Sequence, residues 1–172
     1  MLTGDGRLAQ RVRELKDQWR PVRGTGGDDA HPALGFNFKL TNLQAAVGLA
    51  QLSELGPRLA RQKRIHELYR EGLANVPGLR LPPFRFDRGE VPLWTDAVVD
   101  RRDALDLALA ALGMGCRRFW HPLHVHPPYA RPAEGFPQAT TLSAHALWLP
   151  SAFTLTDTEV AGVVAAIRTV LA

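Results

Sequence analysis

Cysteine is almost missing from this chain. Cys116 is the one thiol in 172 residues, so no disulfide can form within it, and a reducing, cytoplasmic setting fits. Lysine is scarce as well, confined to Lys16, Lys39 and Lys63. No apolar run approaches the roughly 18 residues that a transmembrane helix requires, and no secretory leader pattern precedes the first predicted helix. Internal repeats and low-complexity stretches are also lacking. What is present is ordinary for a globular protein, with 45% hydrophobic and 22% charged residues. The net charge of +4 comes mainly from arginine. Basic residues gather at Arg58, Arg61, Lys63 and Arg64. No aromatic residue interleaves with them to stack bases, so a solvated helix face is expected rather than a nucleic-acid surface.

Apolar spacing predicts a first helix over 5–19, with Leu8, Val12, Leu15 and Trp19 on one side and Pro21 as its stop. Residues 20–34 read as a loop rich in glycine. Its glycines have no Gly-Lys-Ser/Thr ending, which argues against a phosphate-cradling loop. Thr41 is the expected N-cap of a second helix. That helix, with Leu43, Ala45, Ala46, Val47, Gly48, Leu49, Ala50 and Leu52, is apolar almost all round. Such a helix is expected to be buried on several sides, one of them a subunit contact. Gly56-Pro57 should separate it from a third helix over 57–75, whose buried stripe is Ile65, Leu68, Tyr69, Gly72 and Leu73.

A proline-broken extended stretch over 79–86 reads as an edge strand or linker. A strand over 93–99, a helix capped by Asp100 or Asp103 and running to Leu112, and a strand over 116–120 then suggest an α/β unit. Residues 121–135 form a loop rich in histidine and proline. A short helix near 138–145 and a strand over 147–149 follow. Thr156-Asp157-Thr158-Glu159 is a capping box launching a last helix with Val160, Val163, Val164, Ile167, Val170 and Leu171 inward.

His121, His124 and His126 lie within six residues and invite a metal reading. Pro122 and Pro127 stiffen that loop and no Cys, Asp or Glu ligand lies close by in sequence, so no metal site is expected.

The block Gly35-Phe36-Asn37-Phe38-Lys39-Leu40-Thr41-Asn42-Leu43-Gln44-Ala45-Ala46 resembles the G-[YF]-N-x-[RK]-[LM]-[TS]-x-[LI]-Q-A-A signature of the nucleotide-sugar aminotransferases. These are fold-type-I pyridoxal-phosphate (PLP) enzymes of the DegT/StrS group and include perosamine synthases of polysaccharide biosynthesis. Weaker matches run in order along the chain. Met1-Leu2-Thr3-Gly4-Asp5 resembles the family's M-L-x-T-x-D, and Trp120-His121-Pro122-Leu123-His124 with Pro128-Tyr129 resembles its aromatic-x-P-L-H…P-Y. Leu147-Trp148-Leu149-Pro150 with Leu155-Thr156 and Glu159 resembles its L-x-L-P…L-T-x-x-E.

The resemblance implies an α/β (α+β) fold in which 41–172 form a small C-terminal domain, a largely antiparallel sheet covered by helices. Residues 1–40 would end the large PLP domain. It implies that Asn37 reaches the PLP phosphate across a homodimer, that Lys39 lies near the substrate where arginine is usual, and that His121, His124 and Tyr129 line the sugar-nucleotide pocket. Without the family, Asn37 and Lys39 read as a turn entering a helix and His124 as a loop histidine bonded to backbone. The family's cofactor-bearing lysine belongs upstream of Met1. Two charge-assisted hydrogen bonds contribute about 1.5–3 kcal/mol each, short of the roughly 8.2 kcal/mol of micromolar affinity. The isolated chain is therefore expected to be inactive, with glutamate and a keto-sugar nucleotide as substrates of the complete enzyme. A non-catalytic dimerisation module is the alternative. No nucleic acid or membrane partner is expected.

Overall fold

The computed structural model describes residues 2–20 and 31–172. These fall into two compact units that meet in sequence between Ser53 and Glu54. Pro21 and the loop glycines Gly24, Gly26 and Gly27 lie outside the described residues.

The first unit holds two helices. α1 spans Gly6–Lys16, with the Asp5 carboxylate accepting from the Arg7 and Leu8 amides, which satisfies two of the unpaired first-turn donors. The expected helix over 5–19 is thus shorter. The chain leaves α1 at Asp17, and Gln18 and Trp19 follow with positive φ (56° and 59°), a conformation that costs non-glycine residues energy. α2 spans Asn42–Ser53. Thr41 caps it as expected, accepting from the Gln44 amide at 3.2 Å while Gln44 returns a side-chain oxygen to the Thr41 amide at 2.9 Å. Burial does not follow expectation. Neither α1 nor α2 has a buried residue, and Leu43 and Leu49 are 77% and 68% exposed. An all-round apolar helix needs neighbours on several sides, and the unit supplies too few.

The second unit is built on a four-stranded, wholly antiparallel sheet of order β1-β2-β4-β3. β1 is Leu79–Arg80, β2 Thr95–Val99, β3 Arg117–Arg118 and β4 Ala146–Leu149. The mixed fold with a small antiparallel sheet is as the sequence suggests. Helices α3 (Leu55–Gly72), α4 (Arg102–Ala111) and α6 (Asp157–Leu171) pack with it around Ile65, Tyr69, Leu105, Leu109 and Ile167. α5 (Pro137–His145) leads into β4. Alternation along β2 sends Thr95, Ala97 and Val99 inward, beside Leu147 and Leu149 of β4.

α3 starts two residues before the expected Pro57. Proline is tolerated there because first-turn amides have no helical partner to lose. α3 and α6 lie close: a Cβ on Gly72 would come within 2.7 Å of a Val164 methyl. The Thr156–Glu159 capping box of α6 is present in full. α4 is capped by neither Asp100 nor Asp103, since its N-cap is Arg101. Asp103 instead pairs with Arg102 at 2.8 Å.

The basic residues Arg58, Arg61, Lys63 and Arg64 of α3 have partners in the fold, although Arg64 stays exposed. Arg61 donates to Leu155 O and pairs with Asp157, and Arg64 reaches the other Asp157 oxygen at 3.1 Å. Arg58 lies over Phe153 and Lys63 over Phe86. Arg61 and Arg64 fasten α3 to the start of α6, and Arg61 and then Arg64 hold the Asp157 carboxyl below its ordinary range.

Candidate functional site

The first unit presents Asn37 and Lys39 on a surface made by backbone pairing. Residues 36–38 run antiparallel to the end of α1: the Phe36 amide donates to Leu15 O at 2.6 Å, the Phe38 amide to Lys16 O at 2.9 Å, and the Gln18 amide to Phe36 O at 3.0 Å. Asp17 and Asn37 sit opposite one another in this bridge. Gly35 makes it possible, because a Cβ there would meet the Gln18 backbone at 2.5 Å. Asn37 is exposed. Lys39 Nζ forms an ion pair with Asp17 at 3.0 Å, so its charge is already partly compensated. Phe36 and Phe38 flank the asparagine and stack on each other, with centroids 5.2 Å apart.

In the second unit, three single-turn 3-10 segments (Leu123–Val125, Pro127–Tyr129 and Ala133–Gly135) carry the loop after β3 toward α5. They enclose a cavity of about 500 Å³ lined by His124, Tyr129, Arg131, Phe136 and Ala139, among others. His124 is 6% exposed. Its ring stacks on Phe136 (4.8 Å, 11°) and its Nε2 lies 3.2 Å from Thr140 Oγ1. A side chain, not backbone, thus holds this histidine. The Arg131 amide donates to His124 O at 3.1 Å, tying the cavity's rim to its floor.

The loop brings His124 and Tyr129 to one cavity and leaves His121 out of its lining. His121 is exposed and edges onto His126 at 6.5 Å. Among the described residues no three His, Cys, Asp or Glu side chains converge as metal ligands would. Arg131, Phe136 and Thr140 are cavity or supporting residues that the sequence reading did not single out. The helix spacing Phe136–Thr140 was their only signal.

A second cavity, about 660 Å³, lies beside a tryptophan cluster. Trp94 stacks on Trp148 at 4.4 Å, Trp120 meets Trp148 edge-on at 4.6 Å, and Arg117 lies over Trp148 at 5.0 Å. Cys116 is on its wall; burial, and then the Asp106 charge, push its thiol up to about 12. That thiol stays protonated at neutral pH and is a poor nucleophile. Asp96, beneath the cluster, is raised by burial, an effect the Trp148 indole partly offsets. Among the described residues no helix is long and apolar enough to cross a membrane.

The profile of the DegT/DnrJ/EryC1/StrS aminotransferase family matches residues 1–168. GDP-perosamine synthase of Caulobacter vibrioides is 32% identical over 181 residues, covering 98% of this chain and 49% of that protein. The dTDP-3-amino-3,4,6-trideoxy-alpha-D-glucose transaminase of Streptomyces venezuelae is 33% identical, covering 87% of this chain and 39% of that protein. Among solved structures, S. venezuelae DesV superposes with a TM-score of 0.81 at 28% identity, over 98% of this chain and 45% of its own. The chain therefore spans about half the length of the relatives it matches. With a family profile running nearly end to end and relatives of the same kind by sequence and by fold, the chain belongs to the DegT/DnrJ/EryC1/StrS aminotransferase family.

Proposed function

We propose that this chain is the C-terminal part of a PLP-dependent aminotransferase acting on a keto-sugar nucleotide, in the manner of a perosamine synthase. Residues 1–40 would close the large cofactor domain and 41–172 form the small one. The observation that carries the reading is the family match through the Gly35–Gln51 block, with Asn37 exposed on a segment fixed by three backbone hydrogen bonds.

PLP, when bound, supplies the electron sink that lets an amino group pass from glutamate to the sugar. The donors present suit the grip on its phosphate and not its covalent attachment. Asn37 offers an amide donor to an anion. Lys39 adds a positive field near the substrate while Asp17 fixes its position. His124, Tyr129 and Arg131 line the cavity that would take the sugar nucleotide, while His121 would act from the outer edge of the same loop. The exposed leucines of α2 support a homodimer, in which each copy lends Asn37 to its partner's cofactor. A cytoplasmic location accords with sugar-nucleotide substrates.

The test adds PLP, glutamate and a keto-sugar nucleotide to the chain alone. No cofactor absorbance retained by the protein after removal of free PLP, and no amino transfer, are expected. Co-expression with the N-terminal half of the Caulobacter relative is expected to restore both; turnover by the chain alone overturns the reading. A second reading, an assembly module without a catalytic role, draws on the same exposed helix. It predicts a dimer by sedimentation and no saturable heat on titration with a nucleotide sugar.

A further inference from the structure

His124 commits one ring nitrogen within the chain and leaves the other open. Nε2 lies 3.2 Å from Thr140 Oγ1, and that hydroxyl donates to Phe136 O at 2.9 Å. A hydroxyl has one hydrogen and two lone pairs. With its hydrogen on the Phe136 carbonyl, Thr140 meets His124 as an acceptor, so Nε2 carries the proton. In the neutral ring Nδ1 is then a bare lone pair. No described residue bonds Nδ1, and it is not among the sealed, unpaired atoms of the described residues. The ring lines the cavity and is held flat against Phe136.

We infer that Thr140 is a positioning residue that locks His124 as the Nε2–H tautomer, so that the cavity presents Nδ1 as an acceptor for a ligand hydroxyl. The ligand class rests on the sugar-nucleotide reading above; the tautomer does not. A lone pair repels a phosphate oxygen and welcomes an O–H. The anion's contact falls instead to Arg131, which lines the same cavity and has no ion-pair partner among the described residues. The two residues thus divide a nucleoside diphosphate sugar between them, the arginine taking a phosphate and the histidine a pyranose hydroxyl.

Long-range proton–nitrogen NMR on the chain with labelled histidine, at mildly alkaline pH, reads the tautomer directly. His124 is expected to be protonated at Nε2. Thr140→Val should convert it to a mixture of tautomers and Thr140→Ser should restore it, with the other five histidines as a control for the fold. A proton on Nδ1 in the native chain, or a Thr140→Val spectrum that does not change, overturns the inference. GDP-mannose should then move the Nδ1 resonance and GDP alone should not, and Thr140→Val should weaken GDP-mannose about 5- to 10-fold, the loss of one hydrogen bond. An equal response to GDP refutes the hydroxyl assignment. Silence toward both ligands counts against the substrate reading, while the ligand-free spectrum still decides the tautomer.

Discussion

The helices of residues 6–53 and those of residues 54–172 use apolar side chains in opposite ways. α6 places Val160, Val163, Ile167 and Leu171 at intervals of three and four and buries all of them. α2 is as rich in apolar residues and buries none. A single apolar stripe is covered by few neighbours, and α3 and α4 supply them to α6. A helix apolar all round needs several. The second unit buries its own apolar core, and the first leaves its apolar helix uncovered within the chain.

The largest effect should fall on the core. Leu147, fully buried in the central strand β4, should cost about 2–5 kcal/mol on truncation to alanine. Leu49→Ala in α2 should change the unfolding of the dilute chain by less than about 0.5 kcal/mol. Urea unfolding of both variants measures the contrast, and equal losses would abolish it. Next is Gly72→Ala, which forces a methyl against Val164 where α3 meets α6 and should destabilise by about 1–3 kcal/mol. Arg61→Ala should cost about 1–2 kcal/mol, since the Leu155 carbonyl loses a charged donor; an unchanged midpoint would return the α3 arginines to the role of a solvated face.

The smallest effect concerns pH. His66 is buried and meets both Phe84 and Phe86 edge-on. Burial first, and then Arg70, lower its pKa from 6.5, while Glu67 opposes them. The unfolded chain therefore takes up the proton more readily. This contribution to stability is complete above pH 6.5 and declines as pH falls below that value toward the folded pKa. His66→Phe should flatten the dependence of the thermal midpoint over that window; an unaltered slope would assign the acid sensitivity to other groups.

Local signals were legible where one stretch of chain does the work by itself. Thr41 and Thr156 cap their helices because each partner lies three residues away. The stripes of α3 and α6 follow from helical period. Long-range partners were not legible. Nothing near Arg61 announces Asp157, 96 residues on, and a charge run on a helix usually faces water. Nor does anything beside His66 in the sequence announce Phe84 and Phe86, the two rings that meet it edge-on. For the candidate site, the motif indicated His124 and Tyr129, but their shared cavity, the absence of His121 from it, and the roles of Phe136 and Thr140 depend on how α5 folds back over the loop.

By itself the sequence determined the family block around Asn37, the caps, the helical periods and the mixed fold class, because propensity and motif act over a few residues. Tertiary structure alone decided which cations became ion pairs, which histidine entered the cavity and in which orientation, and that α2 would stay uncovered within this chain. Burial and pairing energies come from groups distant in sequence, and those meet only when the chain has folded.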